Sequence, residues 1–143
     1  MLVSQILKSK DTGVVTIAPG ATLRDVVELL ATRRIGAVVV SSDGKKVKGI
    51  VSERDVVREL GRAGPACLDQ VVDKVMTRAI YGCAATDTAA SVLETMTNRR
   101  FRHMPVMEDN VMVGFISIGD VVAAVLSELQ MERDALTGMI MGN

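Results

Sequence analysis

The sequence predicts a mixed α+β fold built from two copies of one β-α-β-β-α unit, and two observations predict this class. The stretches GIVSERDVV (Gly49–Val57) and GFISIGDVV (Gly114–Val122) repeat one order of glycine, apolar pair, serine and aspartate. Upstream of them, RRIGAVVV (Arg33–Val40) aligns with RRFRHMPV (Arg99–Val106). The two alignments are shifted by 65 and 66 residues. This period exceeds that of solenoid repeats, so it indicates two copies of a small domain.

Turn residues and an apolar stripe divide the first copy into elements. Apolar residues at i, i+3, i+4 and i+7 from Leu23 to Leu30 indicate an amphipathic helix. Pro19-Gly20 and Ser42-Asp43-Gly44 are turn signals. The predicted elements are a short strand at Thr16-Ile17-Ala18, a helix with Thr22 as its N-cap, buried strands at Ile35–Val40 and Val47–Val51, and a helix from Ser52 to about Leu60.

The second copy has the same order of elements. The helical stripe recurs at Ala89, Val92, Leu93 and Met96. The predicted elements are an opening segment at Cys83-Ala84, a helix capped by Thr86 or Thr88, strands at His103–Val106 and Val111–Ser117, and a helix that begins near Asp120.

Domain limits follow from the stretch GRAGPACLDQ (Gly61–Gln70), whose Gly and Pro content is typical of a linker. We expect a first repeat with its N-terminal segment at 1–62, a linker at 63–72, and a second repeat with an extended C-terminal helix at 73–143. The pattern of that helix continues through Val122, Val125, Leu126, Leu129, Arg133, Leu136 and Ile140. Because this stripe exceeds what one small repeat covers, we expect a homodimer, with a helix folded back on its own domain as the alternative.

Composition argues against several classes of protein. The 17 basic and 17 acidic residues leave no net charge, and the scarcity of aromatic residues removes stacking platforms, so nucleic acid is not an expected partner. Apolar runs fall far short of the roughly 18 residues that span a membrane. The two cysteines lack a disulfide or metal spacing, and His103 is the single histidine, which indicates a reduced, cytoplasmic location and no metal. No nucleophile-base set or phosphate loop appears, so we do not expect an enzyme.

The repeated serine and aspartate stand where a strand gives way to a helix. Free backbone N–H groups and the positive end of the helix dipole collect there, and both favour anions. A hydroxyl with helix N–H groups suits a phosphate, while an aspartate one turn into the helix can accept hydrogen bonds from ribose hydroxyls. The alternative is that serine and aspartate only cap the helix.

The whole pattern resembles the CBS-domain pair, the tandem module named after cystathionine β-synthase. The resemblance rests on VVTIAPGATL, RRIGAVVV and GIVSERDVV in the first copy, and on VMTRAI, RRFRHMPV and GFISIGDVV in the second. It implies two β-α-β-β-α repeats related by a pseudo-two-fold axis. It also implies clefts between the repeats that bind AMP, ATP, ADP, NAD or S-adenosylmethionine.

The resemblance further implies that each cleft takes strand residues from one repeat and the Ser-x-x-Asp turn from the other. The residues of the first implied cleft are Thr16, Ala18, Gly36, Ala37, Ser117 and Asp120. Those of the second are Tyr81, Arg102, His103, Met104, Pro105, Ser52, Arg54 and Asp55. The second cleft is richer in phosphate-binding groups, because Ile118-Gly119 replaces Glu53-Arg54 in the first. At the opening of the second copy, Gly82-Cys83 replaces Thr16-Ile17, so a hydroxyl contact is missing.

The function that follows is a regulatory module that senses an adenine nucleotide and acts on a partner protein that the sequence does not identify. AMP comes first among the expected ligands, with ATP, ADP and NAD(H) as the others. The alternative is a ligand-free structural or dimerisation module that scaffolds a partner, since the turns can serve as caps alone.

Overall fold

The computed structural model describes residues 1–10 and 13–142 of the chain, and it has a mixed α+β fold. Its helices are α1 (Val3–Ser9), α2 (Leu23–Arg33), α3 (Glu53–Ala63), α4 (Val72–Val75), α5 (Ala89–Arg99) and α6 (Ile118–Ile140), with a 3-10 helix at Pro65–Asp69. Its strands are β1 (Thr16–Ile17), β2 (Ala37–Val40), β3 (Gly49–Ser52), β4 (His103–Glu108) and β5 (Val111–Ser117). The predicted fold class and the order of elements in both copies are confirmed.

The chain forms two compact units whose limits do not follow the sequence order. Among the described residues, unit 1 comprises 1–10, 82–107 and 114–142, and unit 2 comprises 13–81 and 108–113. Helix α1 therefore belongs with the second copy, while α4 belongs with the first. The predicted limits at 1–62, 63–72 and 73–143 are limits along the sequence and stay predictions.

Unit 2 contains a three-stranded sheet in the order β1-β2-β3. Strand β2 pairs in parallel with β1 and antiparallel with β3, and all four of its residues are buried. Thr22 caps α2 as predicted, with its side chain accepting the Asp25 N–H. The predicted strand at Ile35–Val40 begins only at Ala37, because Arg34 turns the chain with a φ of 54°.

The other strand and helix limits of unit 2 also differ by a few residues from the predicted ones. The strand predicted at Val47–Val51 lies at Gly49–Ser52. Helix α3 continues past Leu60 and ends before Gly64, whose φ of 71° suits glycine and no longer fits a helix. A 3-10 helix follows in the stretch expected to be a linker.

Unit 1 holds most of the β4-β5 hairpin. Asp109 and Asn110 form its turn with positive φ values of 51° and 63°, as two-residue hairpin turns require. Cys83 makes a single parallel bridge to Val106, where Ile17 pairs with Val40 in the first copy. The opening strand of the second copy is thus reduced to one residue.

The helix starts of unit 1 settle one alternative and correct one predicted start. Thr88, rather than Thr86, caps α5 by accepting the Ser91 N–H. Helix α6 begins at Ile118 with Ser117 as its cap, slightly before the predicted start near Asp120, because Ser117 already accepts the Asp120 N–H.

Each of the two repeated glycines leaves room for a side chain from a short helix, or from the residue that follows it, outside the glycine's own copy. A Cβ on Gly49 would lie 2.5 Å from Met76 Sδ, which follows α4. A Cβ on Gly114 would lie 2.5 Å from Leu7 Cδ2, which belongs to α1. The glycines at the head of both repeated stretches therefore seat α4 and α1 on the sheets.

Candidate functional site

The Ser52–Asp55 turn of unit 2 is closed by reciprocal hydrogen bonds. Ser52 Oγ accepts the Asp55 N–H at 3.3 Å, and Asp55 Oδ2 accepts the Ser52 N–H at 2.8 Å. Asp55 Oδ1 lies 3.4 Å from Arg58 and 3.5 Å from the Thr77 hydroxyl. Its side chain is only 8% exposed. Both carboxylate oxygens thus have partners within the unit, as a structural cap requires.

The start of β2 lies beside this turn. The Glu53 N–H donates to the Gly36 carbonyl at 2.9 Å, and Ala37 stands opposite Ser52 in the sheet. Unit 2 therefore brings Gly36, Ala37, Ser52 and Asp55 together. Among the other predicted residues of this unit, Thr16 pairs with Val39 on the far side of β2, while Ala18, Arg54 and Tyr81 are exposed.

The Ser117–Asp120 turn of unit 1 has the same cap but a different neighbour. Ser117 Oγ accepts the Asp120 N–H at 3.2 Å, and Asp120 Oδ2 accepts the Ser117 N–H at 2.8 Å. Lys10 Nζ donates to the same Oδ2 at 2.8 Å and to the Phe115 carbonyl at 2.9 Å. The Asp120 side chain is 26% exposed, so it is more accessible than Asp55.

Lys10 shifts the ionisation of Asp120. Burial raises the pKa of Asp120, but the hydrogen bonds from Lys10 and Ser117 and the charge of Lys10 outweigh this effect. They hold the pKa of Asp120 below its ordinary value of 3.8, so the group is a carboxylate at neutral pH.

The start of β4 lies beside the second turn, as β2 lies beside the first. The Ile118 N–H donates to the Arg102 carbonyl at 2.8 Å, and the His103 ring stacks on Phe115 with 5.6 Å between centroids. Arg102 is exposed and His103 is half-buried, whereas Met104 lies in the core of the unit. Pro105 is also buried, and its carbonyl accepts the Cys83 N–H at 3.0 Å.

Each unit thus joins a turn to the strand of its own copy. The pairings expected between Asp55 and His103, and between Asp120 and Thr16, combine residues of different units and stay predictions. Sequence reasoning did not include Lys10. The only signal for it was a lysine just before the first copy, and nothing local connects that lysine to a turn more than a hundred residues away.

Two properties of the described residues bear on the kind of site. Over 1–10 and 13–142, no group of three or more His, Cys, Asp and Glu side chains is placed to hold a metal ion. Within the same part of the chain, no helix is both long and apolar enough to cross a membrane.

Two solved structures with this fold are complexes with adenosine compounds. The AMP complex of the CBS domain protein PAE2072 from Pyrobaculum aerophilum superposes with a TM-score of 0.76, at 28% identity over 92% of this chain and 99% of that one. The CBS domain pair of protein MJ0100, in complex with 5′-methylthioadenosine and S-adenosyl-L-methionine, gives 0.78 over 90% of this chain and 98% of that one. Its 17% identity shows the shared fold alone.

A closer sequence match and a family model identify the family. The CBS-domain containing protein ATU1752 from Agrobacterium tumefaciens is 40% identical, with a TM-score of 0.83 over 87% of this chain and 98% of that one. The family model of the CBS domain matches twice, at residues 3–62 and 72–127. With two matches that cover most of the chain, and with both β-α-β-β-α copies observed, this chain belongs to the CBS-domain family as a tandem pair.

Proposed function

We propose that this chain is a regulatory module that binds an adenosine nucleotide and passes the change to a partner protein. The observation that carries the proposal is the accessible Ser117–Asp120 turn, whose carboxylate lies in the same unit as Arg102 and His103. A carboxylate suits ribose hydroxyls, and an arginine suits a phosphate. The AMP complex of a similar protein supports the choice of ligand class.

The order of the candidate nucleotides and the regulatory role are inferred from the sequence. We place AMP first, with ADP, ATP and NAD(H) as competitors, and we propose regulation rather than catalysis. A turnover assay with ATP and NAD tests the latter point. A cytoplasmic location fits the two cysteines, Cys67 and Cys83, which are buried and not joined in a disulfide.

Thermal unfolding with AMP, ADP, ATP, NAD and NADH tests the proposal. A ligand that binds only the folded state stabilises it by RT ln(1 + [L]/Kd), about 2.7 kcal/mol at a hundredfold excess over Kd. We expect the largest shift with AMP. If none of the five compounds raises the unfolding temperature, the nucleotide function is wrong.

A second candidate function, homodimerisation, is favoured by the exposed face of α6. The exposed positions Val122, Leu126, Leu129, Arg133, Leu136 and Ile140 alternate in steps of four and three, which is the heptad spacing of a helix–helix seam. Val125, which the sequence placed in this stripe, instead packs on the core of unit 1. The remaining stripe is long enough for several layers of paired side chains.

We propose that a second copy of this chain covers this stripe. The heptad spacing allows the same stripe on two copies to pair, and Arg133 is its only charged residue among five apolar ones. A dimer formed in this way is compatible with nucleotide binding. If no nucleotide binds, the dimer remains as the ligand-free scaffold function.

A further inference from the structure

Lys10 caps the C-terminus of α1 and lies beside the Ser117–Asp120 turn. Its ammonium group lies 2.8 Å from Asp120 Oδ2 and 2.9 Å from the Phe115 carbonyl. An ammonium has three N–H donors, and these two bonds use two of them. The side chains of Lys10 and Asp120 are 29% and 26% exposed, so the pair is reachable from solvent.

The packing of α1 explains why the ammonium lies there. Leu7 occupies the space left by the missing Cβ of Gly114, which holds α1 against β5. In the first copy, Met76 occupies the space at Gly49, and the next residue, Thr77, places its hydroxyl 3.5 Å from Asp55 Oδ1. The same packing of a side chain on a glycine therefore brings the neutral Thr77 hydroxyl to the first turn and the Lys10 cation to the second.

The cation compensates for a difference between the two repeated stretches. The first turn carries Glu53-Arg54 between its serine and aspartate, whereas the second carries Ile118-Gly119 and no charged side chain of its own between the two. A bare carboxylate repels a phosphate group that approaches the same turn. Lys10 neutralises the carboxylate by bonding Oδ2, the oxygen that also accepts the Ser117 N–H.

We propose that Lys10 is a ligand-binding residue that makes the Ser117–Asp120 turn select adenosine compounds bearing a 5′-phosphate over those with an uncharged 5′ substituent. The inference rests on the nucleotide function proposed above and names the ligand class of that same site. Asp120 holds the ribose hydroxyls, and Lys10 attracts the phosphate of the same nucleotide. The cation comes from a segment outside both repeated stretches, so the stretches alone do not specify the ligand.

Calorimetric titration with two probes tests this role. AMP carries the 5′-phosphate, and 5′-methylthioadenosine has the same nucleoside with an uncharged substituent. We expect Lys10→Met, which keeps the length of the side chain, to weaken AMP binding by about tenfold, the scale of one charge-assisted contact, and to change 5′-methylthioadenosine binding by less than about threefold. Lys8→Met, which removes an exposed lysine from the same helix, is the matched control and should change neither affinity.

Other outcomes overturn the inference. Equal weakening of both probes assigns Lys10 a purely structural role, and tighter binding of both makes Lys10 a latch that blocks Asp120. An unchanged preference for AMP in Lys10→Met also contradicts the role. If Lys10→Met fails to fold, Lys10→Arg, which keeps the charge, must retain the AMP preference. If wild type binds neither probe, the proposed function itself fails, a result distinct from binding without a Lys10 effect.

Discussion

Arg34 and Arg100 occupy equivalent positions at the ends of α2 and α5, and both have left-handed backbone conformations. Their φ values are 54° and 60°. This conformation costs a non-glycine residue roughly 1–2 kcal/mol, and glycine is the usual residue at such helix ends. The duplicated Arg-Arg pairs of the sequence therefore include one strained arginine each.

Replacing Arg34 by glycine should stabilise the protein. Relief of the left-handed strain outweighs the larger backbone entropy of glycine, so we expect a gain of about 0.5–1 kcal/mol in urea unfolding. Arg33→Gly is the matched control, because Arg33 lies in the last turn of α2 and should lose about 1 kcal/mol. A loss in both variants would show that the Arg34 side chain contributes more than its backbone strain costs.

Single residues also show which local features the sequence could predict. Thr22 and Ser52 were recognised as helix starts because capping depends on neighbours three residues apart, whereas the start of α6 at Ser117 lies before the predicted one near Asp120. The different surroundings of Asp55 and Asp120 were not predictable, because Thr77 and Lys10 reach them through tertiary packing. Local pattern identified both turns and the different residues within them, whereas the partners of the two aspartates are visible only in the structure.

At the scale of elements, the repeated glycines have a packing role that the sequence pattern did not reveal. Gly49 and Gly114 were predicted to lie within strands, at Val47–Val51 and Val111–Ser117, and each does occupy a buried strand position. Their missing side chains admit Met76 and Leu7. Helix α1 itself was not predicted, because seven residues without a clear stripe give no reliable helical signal.

Adding a methyl group at Gly49 should therefore weaken the fold. A Cβ there would lie 2.5 Å from Met76 Sδ and 3.0 Å from Met76 Cβ. The Met76 side chain must therefore move. We expect Gly49→Ala to lose about 1–3 kcal/mol in chemical unfolding. Gly20→Ala is the control, because nothing lies within 4 Å of that position. Equal stability of the two variants would mean that Met76 adapts without cost.

At the scale of the molecule, the duplication predicted the architecture but not the grouping of its parts. The two aligned copies predicted the fold class and the element order of each copy. The assignment of α1 to unit 1 and of α4 to unit 2 depends on contacts between segments far apart in sequence. Such contacts leave no periodic signal, which is why limits read along the chain do not describe them.

The exposed stripe of α6 makes a prediction about assembly. Leu129 and Leu136 are 56% and 59% exposed, so charges there should not disturb the core of the unit. We expect Leu129→Glu with Leu136→Glu to convert a dimer into a monomer in light scattering, because a carboxylate in an apolar seam is poorly solvated. The control pair, Gln130→Glu with Thr137→Glu, adds the same charge beside the seam and should remain dimeric. A monomeric wild type would contradict the assignment.

Calorimetric titration of AMP into wild type, Asp120→Ala and Asp25→Ala tests most directly that a repeated turn binds a nucleotide rather than only capping a helix. Asp25 closes a cap of the same geometry with Thr22, outside both repeated stretches, so the two variants lose equivalent caps worth about 1 kcal/mol of stability. We expect Asp120→Ala to weaken AMP binding about ten- to a hundredfold through the lost charge-assisted hydrogen bonds, and Asp25→Ala to leave it unchanged. Wild-type affinity in Asp120→Ala, with stability reduced as in Asp25→Ala, would mean that the turn is a cap and the nucleotide site lies elsewhere.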